Sequence, residues 1–181
     1  MEHTIDVSAN VHGVFERARN VLIDDPASVL SERRTTVEQC PRAFHADLRV
    51  ELSGGMSVHQ EVLVEAKLPK SSDGILNLPL HWRATGREGL FPTFAGELKA
   101  ERTRTGARLR LVGTYAVPLG WIGRFGDERL GHRAAERSLS SYLEEVAARL
   151  EAEVHRRAMQ VHPDREVEHG RVGARLRTGR P

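Results

Sequence analysis

The chain has a single cysteine, Cys40, in 181 residues. A disulfide framework is therefore excluded, as suits a reducing compartment. Cys40 precedes a proline at an apparent strand entrance with no acidic or His partner implied nearby, so it reads as a packing residue rather than a nucleophile. Lysine is scarce as well: Lys67, Lys70 and Lys99 are the only ones. Arg supplies the remaining cations, a skew that suggests a GC-rich genome rather than a function. The net charge is only +2, from 27 basic and 25 acidic residues, and the charges are mixed throughout. A pI of about 9.0 thus carries no nucleic-acid signature, because nucleic-acid binders cluster Lys and Arg on one face beside exposed aromatics. No run approaches the roughly 18 apolar residues of a membrane span. The opening MEHTIDVSAN lacks a basic region followed by an apolar run, so no signal peptide and a cytoplasmic location are expected.

Catalytic signatures are also missing. No G-x-S-x-G turn offers a nucleophilic serine, and neither G-x-x-x-x-G-K-[ST] nor G-x-G-x-x-G offers a phosphate cradle. The nine histidines form no zinc-like spacing. His45, His59 and His81 have outward strand parity, and Pro163 interrupts the seven-residue repeat of His155, His162 and His169. No metal and no cofactor are expected. Asp24-Asp25 reads as capping and Glu144-Glu145 as a solvated helix face.

What is present is a long amphipathic segment and a set of alternating runs. From Glu128 to Val154, Ala135, Leu139, Tyr142, Leu143, Val146, Ala147, Leu150 and Val154 share one helical stripe, with Arg137, Glu144, Glu145 and Glu151 off it. Such a helix needs a broad apolar surface to lie on. The chain before it supplies one. His3 to Ser8 predicts a short strand with Ile5 and Val7 on its buried face. Ser8 and Asn10 then predict the start of a helix over VHGVFERARNVL, with Val11, Val14, Phe15, Ala18 and Leu22 on one face. Pro26 suits the first turn of a second short helix through Leu30, capped by Asp25.

Period-two runs follow. Phe44, Ala46, Leu48, Val50 and Leu52 alternate with His45, Asp47, Arg49 and Glu51 up to a Gly54-Gly55 turn. Val58, Val62, Val64, Ala66 and Leu68 share a face in the next run, where Gln60 breaks the pattern and allows a bulge or shifted register. Pro69 to Gly74 reads as a polar turn. Leu76, Leu78, Leu80, Trp82 and Ala84 then point inward, and Pro79, on the outer parity, favours an edge or bulge. Phe94, Gly96, Leu98 and Ala100 align, and Thr105-Gly106 closes a hairpin into Leu109, Leu111, Gly113, Tyr115 and Val117. Gly96 and Gly113 mark places where the sheet bends or another group approaches closely. This alternation is that of an antiparallel sheet with one covered face. The loop PLGWIGRFGDE is expected to lay Trp121 and Phe125 over one end of the sheet. From Pro163 onward apolar periodicity fails, which predicts a disordered tail. Its arginines, Arg165, Arg171, Arg175, Arg177 and Arg180, are partly offset by Asp164, Glu166 and Glu168. With no aromatic interleaved, no nucleic-acid partner is expected.

The order of elements, with LHWRATGREGLFPTFAGELKAE, RLRLVGTYAVPLGWIG and RAAERSLSSYLEEVAARLE between Leu80 and Leu150, resembles bacterial members of the START-like, or polyketide cyclase-like (SRPBCC), superfamily. The shared motifs are a W-x-A strand, an F-P-x-F-x-G turn and a G-x-Y-x-x-P-L-G loop. The resemblance implies an α+β helix-grip fold: a curved antiparallel sheet wrapped around a long C-terminal helix, with two short helices after the first strand. The resemblance covers nearly the whole chain to about Val154; residues 1–158 are expected to form one domain and 159–181 a disordered polar tail. It also implies a cavity between the concave sheet face and the helix. A bent sheet cannot touch a straight helix along its whole length, so side chains or a ligand must fill the gap. Inward parity offers Phe44, Leu48, Leu78, Leu80, Trp82, Phe94, Leu98, Leu111, Tyr115, Tyr142 and Val146 as its lining.

The function expected is binding of a mainly apolar small molecule, such as a lipid or polyketide, by a monomer or homodimer. One alternative is a cyclase/aromatase-type enzyme using Tyr115 or Tyr142 as hydrogen-bond donor or weak acid. The other is a non-enzymatic interaction protein with a filled core. No inward Arg, His or carboxylate can be assigned by parity, which favours binding over catalysis.

Overall fold

The structure, a computed structural model, describes residues 2–31, 36–37, 40–51, 57–85, 93–116 and 128–160. The Gly54-Gly55 turn, the loop with Trp121 and Phe125, Val117, and the tail from Pro163 lie outside them. Strand β1 (Glu2–His12) is followed by helices α1 (Phe15–Asp24) and α2 (Ala27–Leu30). Strands β2 (Thr36–Val37), β3 (Cys40–Glu51), β4 (Ser57–Ala66), β5 (Lys70–Ser72), β6 (Ile75–Ala84), β7 (Thr93–Thr103) and β8 (Gly106–Ala116) follow. Helix α3 (Glu128–Gln160) ends the described chain. The sheet is antiparallel with order β1-β8-β7-β6-β4-β3-β2, and β5 pairs with β6 off that path. Helix α3 makes its main strand contacts with β1, at one end of this sheet, and with β3, which only the two-residue β2 follows at the other. The helix thus stands at the seam where the curled sheet would otherwise be open. This is the helix-grip fold.

The alternating runs become strands with the expected faces. Ala46 and Leu48, Val62 and Val64, Leu76 to Ala84 in steps of two, Phe94, Leu98 and Leu109 to Tyr115 are buried, apart from the partly covered Gly113. All of these but Ala84 and Gly113 join Ile5, Val11 and the α3 stripe from Ala135 to Leu150 in one continuous core.

Several local expectations are corrected, each by a long-range contact. Strand β1 does not stop at Ser8. It pairs with β8 without a break from Glu2↔Ala116 to His12↔Gly106, so Val11 is a buried strand residue. Helix α1 begins at Phe15 after Val14, with no side-chain cap, and Val14 is exposed. The many ladder bonds of β1 outweigh the cap that Ser8 or Asn10 could have made, which is worth about 1 kcal/mol. Asp25 does cap α2: its Oδ1 accepts from the Ser28 N–H at 3.2 Å.

Gln60 causes no bulge, since β3 and β4 pair continuously from Ala43↔Glu65 to Glu51↔Ser57. Its amide Nε2 donates to the carbonyls of Glu61 and Thr85 at 2.9 and 3.1 Å, which satisfies it beside the core. Leu68 is exposed rather than inward, because β4 ends at Ala66. The polar stretch after it includes β5, which turns back on β6 through Asp73-Gly74, with Gly74 at φ +74°. Pro79 sits inside the sheet, on β6. Its carbonyl accepts from the Lys67 N–H at 2.9 Å, so its missing N–H faces the gap between β4 and β5. In an antiparallel ladder both groups of one residue face the same neighbour. The proline therefore removes no bond that a paired strand needs.

Helix α3 runs six residues past Val154. The apolar stripe does end there, and ion pairs replace it. Glu153, buried on α3, accepts from Arg156 at 2.8 and 2.5 Å and from Arg157 at 2.8 Å, while Arg157 reaches Asp24 of α1 at 3.6 Å. These bonds hold the Glu153 carboxyl down at about 2, Arg156 first, against the opposing effect of burial.

Candidate functional site

All eleven candidate lining residues are buried and belong to the one core. Phe44 and Leu48 come from β3, Leu78, Leu80 and Trp82 from β6, Phe94 and Leu98 from β7, and Leu111 and Tyr115 from β8. Tyr142 and Val146 come from α3, one turn apart. The structure brings them all to one interior.

The floor of that interior has a specific construction. Gly96 and Gly113 are cross-strand partners, and the Phe94 ring lies over them. A Cβ placed on Gly96 would stand 2.6 Å from Phe94 Cζ and 2.7 Å from Gly113 Cα. A Cβ on Gly113 would stand 2.7 Å from both Phe94 Cζ and Gly96 Cα. Neither approach is tolerable, so the glycines are what lets the ring lie down. Trp82, the cross-strand neighbour of Phe94, stacks on it with centroids 4.0 Å apart and planes 14° apart. The close approach expected at these glycines is thus made by an aromatic ring of the same sheet.

The two tyrosines differ. The Tyr142 hydroxyl donates to the carbonyl of Leu30 at 2.7 Å, at the C-terminal end of α2. Its proton is used to pin α3 to α2. The Tyr115 ring stacks on His3, with centroids 5.5 Å apart. Burial, and then the nearby Glu136 carboxylate, push the Tyr115 hydroxyl up to about 12. It stays protonated at neutral pH, and so can donate a hydrogen bond but cannot serve as a base.

Parity missed a second, polar site. Asp47, Arg49 and His59, read as outward residues, face Ser138, Ser141, Tyr142 and Glu145 of α3 across a pocket of about 270 Å³. Those helix positions are spaced three, four and seven apart, a stripe that shares Tyr142 with the apolar one. The signal available in the sequence was Ser138, a hydroxyl at a buried helix position. A groove of about 310 Å³ also lies between α1 and the end of α3, between Val21 and Val154, with Asp24 and Arg157 on its walls. His45 pairs with Glu61 at 3.0 Å, and Thr85 donates to the same carboxylate oxygen at 2.9 Å. Among the described residues no group of three or more His, Cys, Asp and Glu side chains could hold a metal ion. No described helix is long and apolar enough to cross a membrane.

No family model matches the chain, and no curated protein matches it in sequence. Solved structures do match in fold. A crystal structure of a protein from Thermus thermophilus superposes with a TM-score of 0.52 at 16% identity, covering 84% of this chain and 99% of that one. The di-domain ARO/CYC StfQ from the steffimycin biosynthetic pathway superposes with a TM-score of 0.54 at 15% identity. That match covers 87% of this chain and 52% of StfQ, so the chain spans about half the length of the di-domain protein.

Proposed function

We propose that the chain binds a mainly apolar small molecule between the concave sheet face and α3, with no metal or nucleotide cofactor. The observation that carries this reading is the placement of α3. Its main strand contacts are with β1 and β3, near the two ends of the sheet, while β6 and β7 turn Leu78, Leu80, Trp82, Phe94 and Leu98 into the same core. With the helix held at the seam, the middle of the concave face has to be filled by large side chains or by a ligand, and the reading here is the latter. Pockets of this kind are lined mostly by apolar and aromatic side chains, with a few placed polar groups. Tyr115 is such a group. The fold shared with an aromatase/cyclase, StfQ, agrees with this use of the interior.

The test uses Val146, which is fully buried on the inner face of α3. Wild type is expected to bind a fluorescent apolar probe such as N-phenyl-1-naphthylamine at a saturable site. Val146→Trp is expected to fill that space, lose probe binding and keep its stability. Where helix and sheet pinch together, the same substitution overpacks a filled core and costs about 1–3 kcal/mol. That cost, with a wild type that binds no probe, overturns the reading and leaves the filled-core interaction protein standing.

A second reading, a cyclase-type enzyme, is supported by the fold shared with StfQ and by Tyr115, a buried phenol whose hydroxyl could donate to a substrate carbonyl. Loss of a proton donor slows turnover by about 10²-fold or more. Tyr115→Phe would then abolish most activity and leave probe binding intact.

A further inference from the structure

We infer that one end of the sheet, led by the exposed link Lys67-Leu68-Pro69-Lys70, docks on the surface of an anionic lipid bilayer. This goes beyond the reading of the interior and does not depend on it.

The end is built from turns that are tied to one another. Gly13, in the link from β1 to α1, donates its N–H to the carbonyl of Thr105 in the β7–β8 turn at 3.1 Å. Arg102, on β7 beside that turn, donates its N–H to the carbonyl of Gly74 in the β5–β6 turn at 2.7 Å. The Arg102 guanidinium also lies over the Phe15 ring, 4.9 Å from its centroid, and pairs with Glu16. The exposed Val14 and Ile75 are the sequence neighbours of Phe15 and Gly74, so both adjoin residues that Arg102 touches. Leu68 is four residues before Ser72, the pairing partner of Ile75. Along an extended chain that separation is about 13 Å at most.

Leu68 is 75% exposed, Val14 52% and Ile75 39%. Of the large apolar side chains exposed among the described residues, only Met159 of α3 lies outside these links, so the others are gathered rather than scattered. Cations accompany them. Lys67 and Lys70 flank Leu68-Pro69, and Arg104 stands in the β7–β8 turn. All three are exposed, and none makes an ion pair among the described residues. Over residues 67–75 and 104–105 these three cations stand against one carboxylate, Asp73. Nearby Glu16 is taken by Arg102 and Arg19. Positive charge is thus left over at this end, although the chain as a whole is near balance.

This chemistry fits a bilayer better than a protein or a nucleic acid. Protein interfaces bury a contiguous apolar centre from which Lys is depleted, whereas these side chains stand on separate links. Single-stranded nucleic acid stacks its bases on exposed aromatic rings, and none of the exposed large apolar side chains described is aromatic. A bilayer takes up separate apolar side chains at its acyl boundary, while lysine stems lie along the surface and bring their ammonium groups to the phosphates. Each such cation contributes about five-fold in binding to an anionic surface. Burial of one leucine contributes about 10-fold or more.

The test is co-sedimentation of the full chain with vesicles of phosphatidylcholine alone and of phosphatidylcholine mixed with phosphatidylglycerol. Binding to the mixture is expected to be at least ~10-fold tighter, and to be lost near 1 M salt, where the screening length is about 3 Å. Lys67→Gln combined with Lys70→Gln is expected to weaken it by about 25-fold. Leu68→Ser, with the charge unchanged, is expected to weaken it by about 10-fold. These link positions are exposed, so the fold tolerates the changes, as circular-dichroism melts check. Lys99→Gln serves as control: that lysine stands on β7 and pairs with Glu97 at 2.9 Å, and its loss should leave vesicle binding unchanged. No binding to the mixture, equal binding to both kinds of vesicle, or a Lys99→Gln loss as large as that of the link lysines overturns the docking surface. Binding that needs the lysines but not Leu68 overturns it as well, because any polyanion would then serve.

Discussion

Replacing Gly113 by alanine adds one methyl group at a crowded point of the sheet. The new Cβ would lie 2.7 Å from the Gly96 Cα and 2.7 Å from Phe94 Cζ. Neither neighbour can yield easily. The Gly96 backbone is held in the β6-β7-β8 ladders, and the Phe94 ring is stacked against Trp82 at 4.0 Å with almost no exposure. The Ala95 carbonyl oxygen stands closer still, at 2.5 Å. Overpacking a rigid core costs about 1–3 kcal/mol, and three obstacles in one place put this substitution near the upper end. In a domain of this size a loss of about 3 kcal/mol lowers Tm by about 6–12 °C. Thermal melts followed by circular dichroism, with urea titrations for the free energy, give both quantities.

Phe94→Leu separates ring from backbone. In that background Gly113→Ala should cost less by at least about 1 kcal/mol, a coupling expected only of groups in contact. A Gly113→Ala protein within about 0.5 kcal/mol of wild type refutes the close approach. A large loss that adds without coupling to Phe94→Leu refutes the ring's part in it.

Tyr142→Phe leaves the Leu30 carbonyl without its donor, and should cost about 1–3 kcal/mol in urea denaturation; a neutral result would mean that the hydroxyl does not pin α3 to α2. Glu153 has its pKa lowered to about 2 in the folded chain, by Arg156 first and Arg157 after it, against the opposing effect of burial. Its stabilisation is therefore fully present above the unfolded value of 4.5 and is lost as pH falls towards 2. The stability gap between wild type and Glu153→Gln, expected at about 1.5–3 kcal/mol for charge-assisted bonds at neutral pH, should shrink across that window; a gap that is constant from pH 7 to pH 2.5 contradicts the pairing. Residues 1 to about 158 are proposed as the folded unit, so removal of residues 161–181 should leave the circular-dichroism melting temperature nearly unchanged, and a fall of several degrees would place part of the tail in the fold.

The long strands of the sheet and most of their inward faces were legible because a half-covered antiparallel sheet writes its two faces into alternate residues, whereas the short β2 and β5 were not. Leu76, Leu78, Leu80, Trp82 and Ala84 show this directly: each is buried as alternation requires. The stripe of α3 was legible for the same kind of reason, at the helical period. Boundaries were not. The extension of β1 to His12 depends on a partner about a hundred residues away, and Pro79 is acceptable in an inner strand only because β4 ends at Ala66 on that side. The burial of Glu153 depends on two arginines one turn along α3.

The polar pocket exposes a deeper limit of parity. Alternation sorts side chains into two faces, and it treats one face as covered and the other as solvated. At the end of a curled sheet that division fails, because the helix filling the seam meets the strand edge and touches side chains from both faces. Asp47 and Arg49 have outward parity, and the pocket still places them opposite Ser138 and Ser141. Local periodicity cannot show this. It follows from which strands end the sheet and where α3 lies, and both are fixed by contacts between β1 and β8 and between β3 and β4. In this fold the apolar lining is written along each strand, whereas the polar groups nearest to it are set by closure of the sheet on its helix.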